Sequence, residues 1–131
     1  MSNILKEIVK ILPEGKISEA TFEAANIVLY TKDKEYFLDN KGTIRDAVRQ
    51  FKKRIELRPD PSTTMPLEDA EKKIKEILPE DAGVQELIFD APRSIVIIHV
   101  EKPGIAIGKQ GSLLQDVKKE TLWVPVIKRI P

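Results

Sequence analysis

The sequence predicts an α+β protein made of two small units, each α-β-β-α-α-β, with a mixed three-stranded sheet and helices packed on one face. Three observations carry this. ILPEG at Ile11–Gly15 recurs as ILPED at Ile77–Asp81, and FEA then IVLY (Phe22–Ala24, Ile27–Tyr30) recurs as FDA then IVII (Phe89–Ala91, Ile95–Ile98). A repeat at this period is the mark of one supersecondary unit used twice. Between the copies, PDPSTTMP (Pro59–Pro66) holds three prolines and three hydroxyl residues, the chemistry of a connector. Each copy also follows a helical apolar pattern with two extended runs, so a crossover must return the chain to its sheet.

The elements follow in order. Ile4, Leu5, Ile8 and Leu12 recur at helical spacing, with Ser2 available as a cap. Extended stretches follow at Ser18–Ala24 and Ile27–Thr31. A helix then places Ile44, Ala47, Val48 and Phe51 on one side, and Arg54–Arg58 alternates as a half-buried strand. In the second copy Leu67, Ala70, Ile74 and Ile77 mark the opening helix, with Pro66 at its first position and Glu68 and Asp69 suiting its dipole. Val84–Phe89 and Ser94–Val100 read as strands. A helical turn starts at Pro103 and a helix at Ser112 that buries Leu113, Leu114 and Val117. Trp123–Ile130 closes as a strand whose Pro125 belongs at an edge, a bulge or the strand start. Domain bounds are expected at 1–60, a linker at 61–66, and 67–131.

Composition excludes much chemistry. The 131 residues carry 22 basic and 21 acidic groups, one histidine and no cysteine. That leaves no disulfide, no Cys–His nucleophile and no multi-histidine zinc site. His99 sits in an apolar strand and reads as a partly buried sheet residue, and Trp123 as a packing anchor, with stacking on a base as the alternative. Asp33, Glu35 and Asp39 form a loop cluster without a catalytic partner. No run approaches the roughly 18 apolar residues of a membrane span, and MSNILKEIVKIL, its apolar residues interrupted by Lys6, Glu7 and Lys10, does not read as a secretory signal. The expectation is a soluble, cytoplasmic protein with no catalytic residues and no cofactor on this chain.

The sharpest signal is VEKPGIAIGKQGSLL, Val100–Leu114. Gly108 and Gly111 flank Lys109 and Gln110 between two helical patterns, which allows a tight turn and close backbone approach by a ligand. A nucleotide P-loop fails on spacing, and no G-x-G-x-x-G is present. A purely structural helix–turn–helix loop is the bland alternative.

This G-x-x-G loop, in that element order and preceded by V-E-K-P-G, resembles the KH domain of the prokaryotic, type II arrangement. The resemblance implies a loop that clamps the backbone of about four nucleotides of single-stranded RNA beside a groove for the bases. Gly108 and Gly111 would admit the backbone, Lys109 would meet phosphate and Gln110 would offer hydrogen bonds. Ile105 and Ile107 would line the groove, with Ser112 at the helix start and Lys102, Lys118 and Lys119 extending the positive rim. The first copy departs from this pattern: Asn40–Lys41–Gly42–Thr43 stands where Gly–Lys–Gln–Gly is expected, so it reads as a degenerate KH unit.

Charge nevertheless favours the first copy. Seven basic and two acidic residues fall within Lys41–Arg58. Arg45, Arg49 and Lys52 or Lys53 fall at helical spacing, so with Lys41 they read as a secondary basic face, either solvated or in contact with phosphates.

The tandem, degenerate copy first, is similar to the N-terminus of archaeal cleavage-and-polyadenylation-specificity-factor-like proteins, the β-CASP ribonucleases. That resemblance implies a module that positions uridine-rich RNA for transcript 3′-end processing and termination. Its zinc would sit only in a nuclease domain that is absent here, and catalysis would need that domain. The partners implied are single-stranded RNA, a nuclease domain in cis or the transcription machinery, and a second copy through parts not present. No membrane is implied. The rival readings are a protein-docking module with incidental RNA contact, for which the near-neutral pI of 7.9 speaks, and a single-stranded DNA-binding KH protein.

Overall fold

A computed structural model describes residues 3–131. The chain divides into two compact units, Met1–Thr63 and Thr64–Pro131.

In the first unit α1 (Asn3–Ile11) leads into β1 (Glu19–Glu23) and β2 (Asn26–Thr31). These are followed by α2 (Lys34–Leu38), α3 (Thr43–Phe51) and β3 (Ile55–Pro59). The sheet order is β1-β2-β3, with β2 antiparallel to β1 and parallel to β3. The parallel pair is what the α2–α3 crossover makes possible, since a parallel neighbour cannot be reached by a tight turn. Leu5 and Ile8 of α1 and Ile44 and Ala47 of α3 bury against Ile27 and Leu29 of β2. The expected cap Ser2 lies outside the described residues.

The helix α2 completes the expected α-β-β-α-α-β order and corrects the placement of Asp33, Glu35 and Asp39 in a loop cluster. Asp33 is the N-cap of α2, its carboxylate accepting the Tyr36 amide at 3.0 Å, and Glu35 lies in the first turn. Asp33 also pairs with Lys16. The Lys16 hydrogen bond, followed by that from Tyr36, holds the Asp33 carboxyl below its ordinary value.

In the second unit α4 (Leu67–Ile77) precedes β4 (Val84–Asp90) and β5 (Ile95–Val100). Then come α5 (Pro103–Ile107), α6 (Ser112–Thr121) and β6 (Val124–Arg129). The order is again central-strand second: β4-β5 antiparallel, β5-β6 parallel. Pro66 is the N-cap of α4 rather than its first helical residue, with extended ψ of 141°. Pro125 sits on the edge strand β6, paired in register with Val96, where its missing N–H leaves no ladder bond unmade. Ala70, Ile74, Val96, Ile98, Val100, Ala106 and Val117 form the core. Of the three leucine and valine positions expected to be buried on α6, only Val117 is fully so; Leu113 and Leu114 are half-buried.

Trp123 is 2% exposed. Its indole N–H donates to the Met65 carbonyl at 2.8 Å, and its ring meets Phe89 edge-on with centroids 4.9 Å apart. It is a packing anchor and has no face free for a base. His99 is half-buried on β5, with Nδ1 4.0 Å from the Glu86 carboxylate.

Candidate nucleic-acid interface

The loop Gly108–Gly111 joins α5 to α6. Gly108 has φ 79° and ψ 174°, a conformation open only to glycine. A Cβ there would stand 2.7 Å from Leu113 Cγ and 3.0 Å from Ser112 Oγ, so Gly108 is required by backbone and packing together. Gln110 adopts φ 55° and ψ 30°, a left-handed turn that pushes its side chain outward. Gly111 is the N-cap of α6 at φ 75°, and a Cβ built on it would meet nothing within 4 Å. The space beside Gly111 is therefore open, while the turn itself is held by the Gly111 amide, which donates to the Gly108 carbonyl at 3.2 Å, and by the Ser112 amide, which donates to the Lys109 carbonyl.

Lys109 and Gln110 are exposed at the loop tip, and Lys102 is exposed before α5. Ile105 is 36% exposed on α5 and Ile107 half-buried, so both remain reachable beside the loop. Ser112 and Lys119 are exposed and Lys118 is half-buried. The arrangement offers an apolar surface, an uncovered stretch of backbone and flexible cations. An apolar surface can contact the faces of bases, and cations can meet a charged backbone.

The corresponding loop of the first unit corrects the sequence alignment by one residue. Gly42 is the N-cap of α3 with φ 79° and ψ 4°, and Lys41 before it has φ 56°. These match Gly111 and Gln110 in backbone and in place. The surviving glycine therefore equals the second glycine of the loop, and the residue standing for the first is Asp39, in extended conformation at φ −149°. The Asp39 carboxylate accepts the Lys41 amide at 2.9 Å. Thr43 Oγ1 donates to the Asn40 carbonyl at 2.9 Å and shares a 2.7 Å hydrogen bond with the Tyr36 hydroxyl. The first loop is thus closed on itself, with a carboxylate where an anion would have to approach.

The basic face is also partly redrawn. Arg45 and Arg49 are exposed on α3, opposite the buried Ile44 and Ala47. Lys52 ends α3 as a left-handed C-cap at φ 53°, so Lys52 and Lys53 leave the helical stripe and sit at its C-terminal end. Sequence periodicity could not show that stop, because nothing in the residue type Lys announces a left-handed cap. Arg54, also exposed, belongs with them. Arg58 does not: it is 3% exposed and held by Glu23 at 2.5 and 2.9 Å, by Glu56 and by the Tyr30 hydroxyl at 3.2 Å. Burial opposes its charge, but these hydrogen bonds outweigh burial and raise its pKa above the ordinary value.

Comparison with known proteins agrees with the loop geometry and element order. Residues 1–64 match the family model described as the KH domain of transcription termination factor FttA, and residues 70–121 match the model of the KH domain. The chain carries two KH domains. Transcription termination factor FttA of Methanocaldococcus jannaschii is 42% identical over 132 residues, covering all of this chain and 20% of that protein. The FttA of Methanococcus maripaludis is 44% identical over 115 residues, covering 88% of this chain and 18% of its own. That of Pyrococcus abyssi is 39% identical over 118 residues, covering 90% and 18%. The chain spans about a fifth of the length of the curated relatives it matches. The two KH domains are FttA-like, and among the described residues no helix is long and apolar enough to cross a membrane.

Proposed function

We propose that the second KH domain holds single-stranded RNA at Gly108–Gly111, and that the tandem is the RNA-recognition part of an FttA-like protein acting in transcript 3′-end formation and termination. The observation that carries this reading is the open space beside Gly111, next to exposed Lys109 and Gln110. Gly111 lets a phosphodiester approach the start of α6, Lys109 meets its charge, and Ile105 and Ile107 receive bases. Uridine-rich RNA is the substrate class that the resemblance to the β-CASP ribonucleases implies. In this reading RNA cleavage belongs to a β-CASP nuclease core outside these residues, which would also hold the zinc. The KH pair binds and positions the strand.

The test is a titration of labelled uridine-rich single-stranded RNA against the parent chain and Lys109→Asp/Gln110→Asp. Both substituted positions are exposed, so matched melting curves are expected. Affinity should fall at least tenfold in the variant, and a DNA strand of the same sequence should bind more weakly than RNA to the parent. Equal RNA binding by parent and variant would remove the loop from the site.

A further inference from the structure

The first KH domain has lost the means by which the second would hold RNA, yet it carries the larger share of free positive charge. Its loop amide at Lys41 is taken by Asp39. Where open space lies beside Gly111, the equivalent Gly42 is covered: a Cβ there would stand 2.8 Å from the Arg45 guanidinium. A side-chain cation thus occupies the place left vacant in the second domain. Lys41, Arg45, Arg49, Lys52, Lys53 and Arg54 are all exposed. None of them forms an ion pair among the described residues.

A helix-stabilising role explains only part of this. Cations favour the C-terminal end of a helix, which suits Lys52 and Lys53 after α3. Lys41 and Arg45 lie at its N-terminal end, where the dipole disfavours them. Along one short helix and its two flanks six cations face only two acids, Asp39 and Asp46; the excess positive charge repels itself, and a polyanion laid across it relieves that repulsion.

We propose that this face of the first KH domain, Lys41 to Arg54, is a phosphate-binding surface for single-stranded RNA, in which side-chain cations replace the loop amides. It rests on the reading that the second domain binds RNA and assigns the two domains different work. The second domain supplies a backbone clamp with a base groove. The first supplies sequence-independent attraction that weakens with salt.

The test measures RNA affinity of the whole chain across a salt series for five proteins. These are the parent, Arg49→Gln/Lys53→Gln, Arg49→Lys/Lys53→Arg, Lys109→Asp/Gln110→Asp, and the charge-matched control Lys6→Gln/Lys10→Gln. The control positions are exposed on α1 of the same domain. Arg49→Gln/Lys53→Gln should weaken binding about tenfold or more at low salt. It should also lower the slope of log affinity against log salt by roughly 1.4, two contacts at about 0.7 each on a single strand. Arg49→Lys/Lys53→Arg should keep both, and the control should change little. If Arg49→Gln/Lys53→Gln behaves as the control does, the proposal is overturned. So too if it leaves RNA binding intact but abolishes binding of a poly-glutamate probe, which would make the face a dock for acidic protein. Loss in the Lys109→Asp/Gln110→Asp protein alone sinks this proposal and spares the loop. Loss in Arg49→Gln/Lys53→Gln alone does the reverse.

Discussion

The Asp39 carboxylate accepts the Lys41 amide at 2.9 Å, in a loop whose counterpart, Gly108–Gly111, leaves open space beside its second glycine. The two loops share the left-handed pair before the following helix, Lys41–Gly42 and Gln110–Gly111. They differ at their first position, where an acidic side chain in one replaces a glycine-only conformation in the other. Asp39 thus closes the first turn from one side, as the Arg45 guanidinium beside Gly42 does from another.

Replacing Asp39 by serine should tighten RNA binding. Serine keeps a short oxygen for the Lys41 amide while removing the negative charge next to Lys41 and Arg45. An exposed charge of this kind is worth about 0.2–1 kcal/mol, so the gain is roughly 1.5- to 5-fold at low salt. It is best read in the Lys109→Asp/Gln110→Asp background, where the second domain no longer dominates. Unchanged or weaker binding there would show that Asp39 has no bearing on phosphate.

Gly108 and Gly111 should separate folding from binding. Gly108→Ala forces a side chain into a glycine-only conformation and against Leu113 at 2.7 Å, costing about 1–3 kcal/mol in backbone strain alone. Gly111→Asn meets no neighbour and asparagine tolerates left-handed backbone, so its melting temperature should stay close to the parent's. Its side chain nevertheless enters the space a ligand backbone would use. RNA affinity should fall at least tenfold in Gly111→Asn, and a variant that melts early and still binds would contradict the assignment.

The fold was legible where apolar residues recur at a helix or strand period over several turns, as in Ile4–Leu12 and Ile95–Val100. The helix α2 was legible only as an element that the α-β-β-α-α-β order required; its residues were not, because Lys34–Leu38 is five residues long and its carboxylates suggest a loop. The usable signal was the repeat itself: α5 lies between β5 and α6, so a short helix was due between β2 and α3. The loop register was misplaced for a related reason. Aligning on glycine count ignores that Lys41 and Gln110 also take positive φ, a property that depends on the turn and not on residue type. The buried cluster around Arg58 was hidden too, since an alternating strand pattern does not say which charged position folds inward.

The lone tryptophan reports on the second domain alone. With Trp123 2% exposed and its indole tied to Met65, emission should be blue-shifted and poorly quenched by acrylamide. Saturating RNA should leave it nearly unchanged. Trp123→Phe removes the hydrogen bond to the half-buried Met65 carbonyl, costing about 0.5–1.5 kcal/mol, without a change in RNA affinity once folded. Strong quenching by RNA would instead place a base on the indole.

Arg58 neutralises two carboxylates on the first sheet, its side chain 4% exposed beside Glu23 at 27% and Glu56 at 50%. Arg58→Met keeps the length and apolar stem but strands both acids. Breaking a fully buried pair costs about 3–5 kcal/mol. Here the acids retain partial hydration, so a cost of about 1–3 kcal/mol is expected. Adding Glu23→Gln to Arg58→Met should recover part of it. Denaturant melts of the single and double variants measure both, and no recovery would mean that packing, not charge, sets the loss.

Acid should weaken the first domain before neutral pH does anything to it. Asp33 is held below its ordinary value of 3.8 by the Lys16 hydrogen bond and then by the Tyr36 amide. Asp60 is lowered from the same value by the Ser18 hydroxyl, which donates to it at 2.7 Å, with Ser62 adding its amide at 3.0 Å. A carboxyl whose folded pKa is depressed contributes its full stability above the unfolded pKa and loses it as pH falls through the folded one. Melting temperature should therefore be flat from neutral pH to about pH 5 and decline below about pH 4, where the unfolded chain takes up these protons more readily. Lys16, raised above 10.5 by the same Asp33 hydrogen bond, gives the opposite limb: its contribution is complete below that value and fades at higher pH. Asp60→Asn should flatten the acid limb and leave the alkaline one in place, as followed by circular dichroism across the pH series. An acid limb unchanged in Asp60→Asn and in Asp33→Asn alike would assign the loss to other carboxylates.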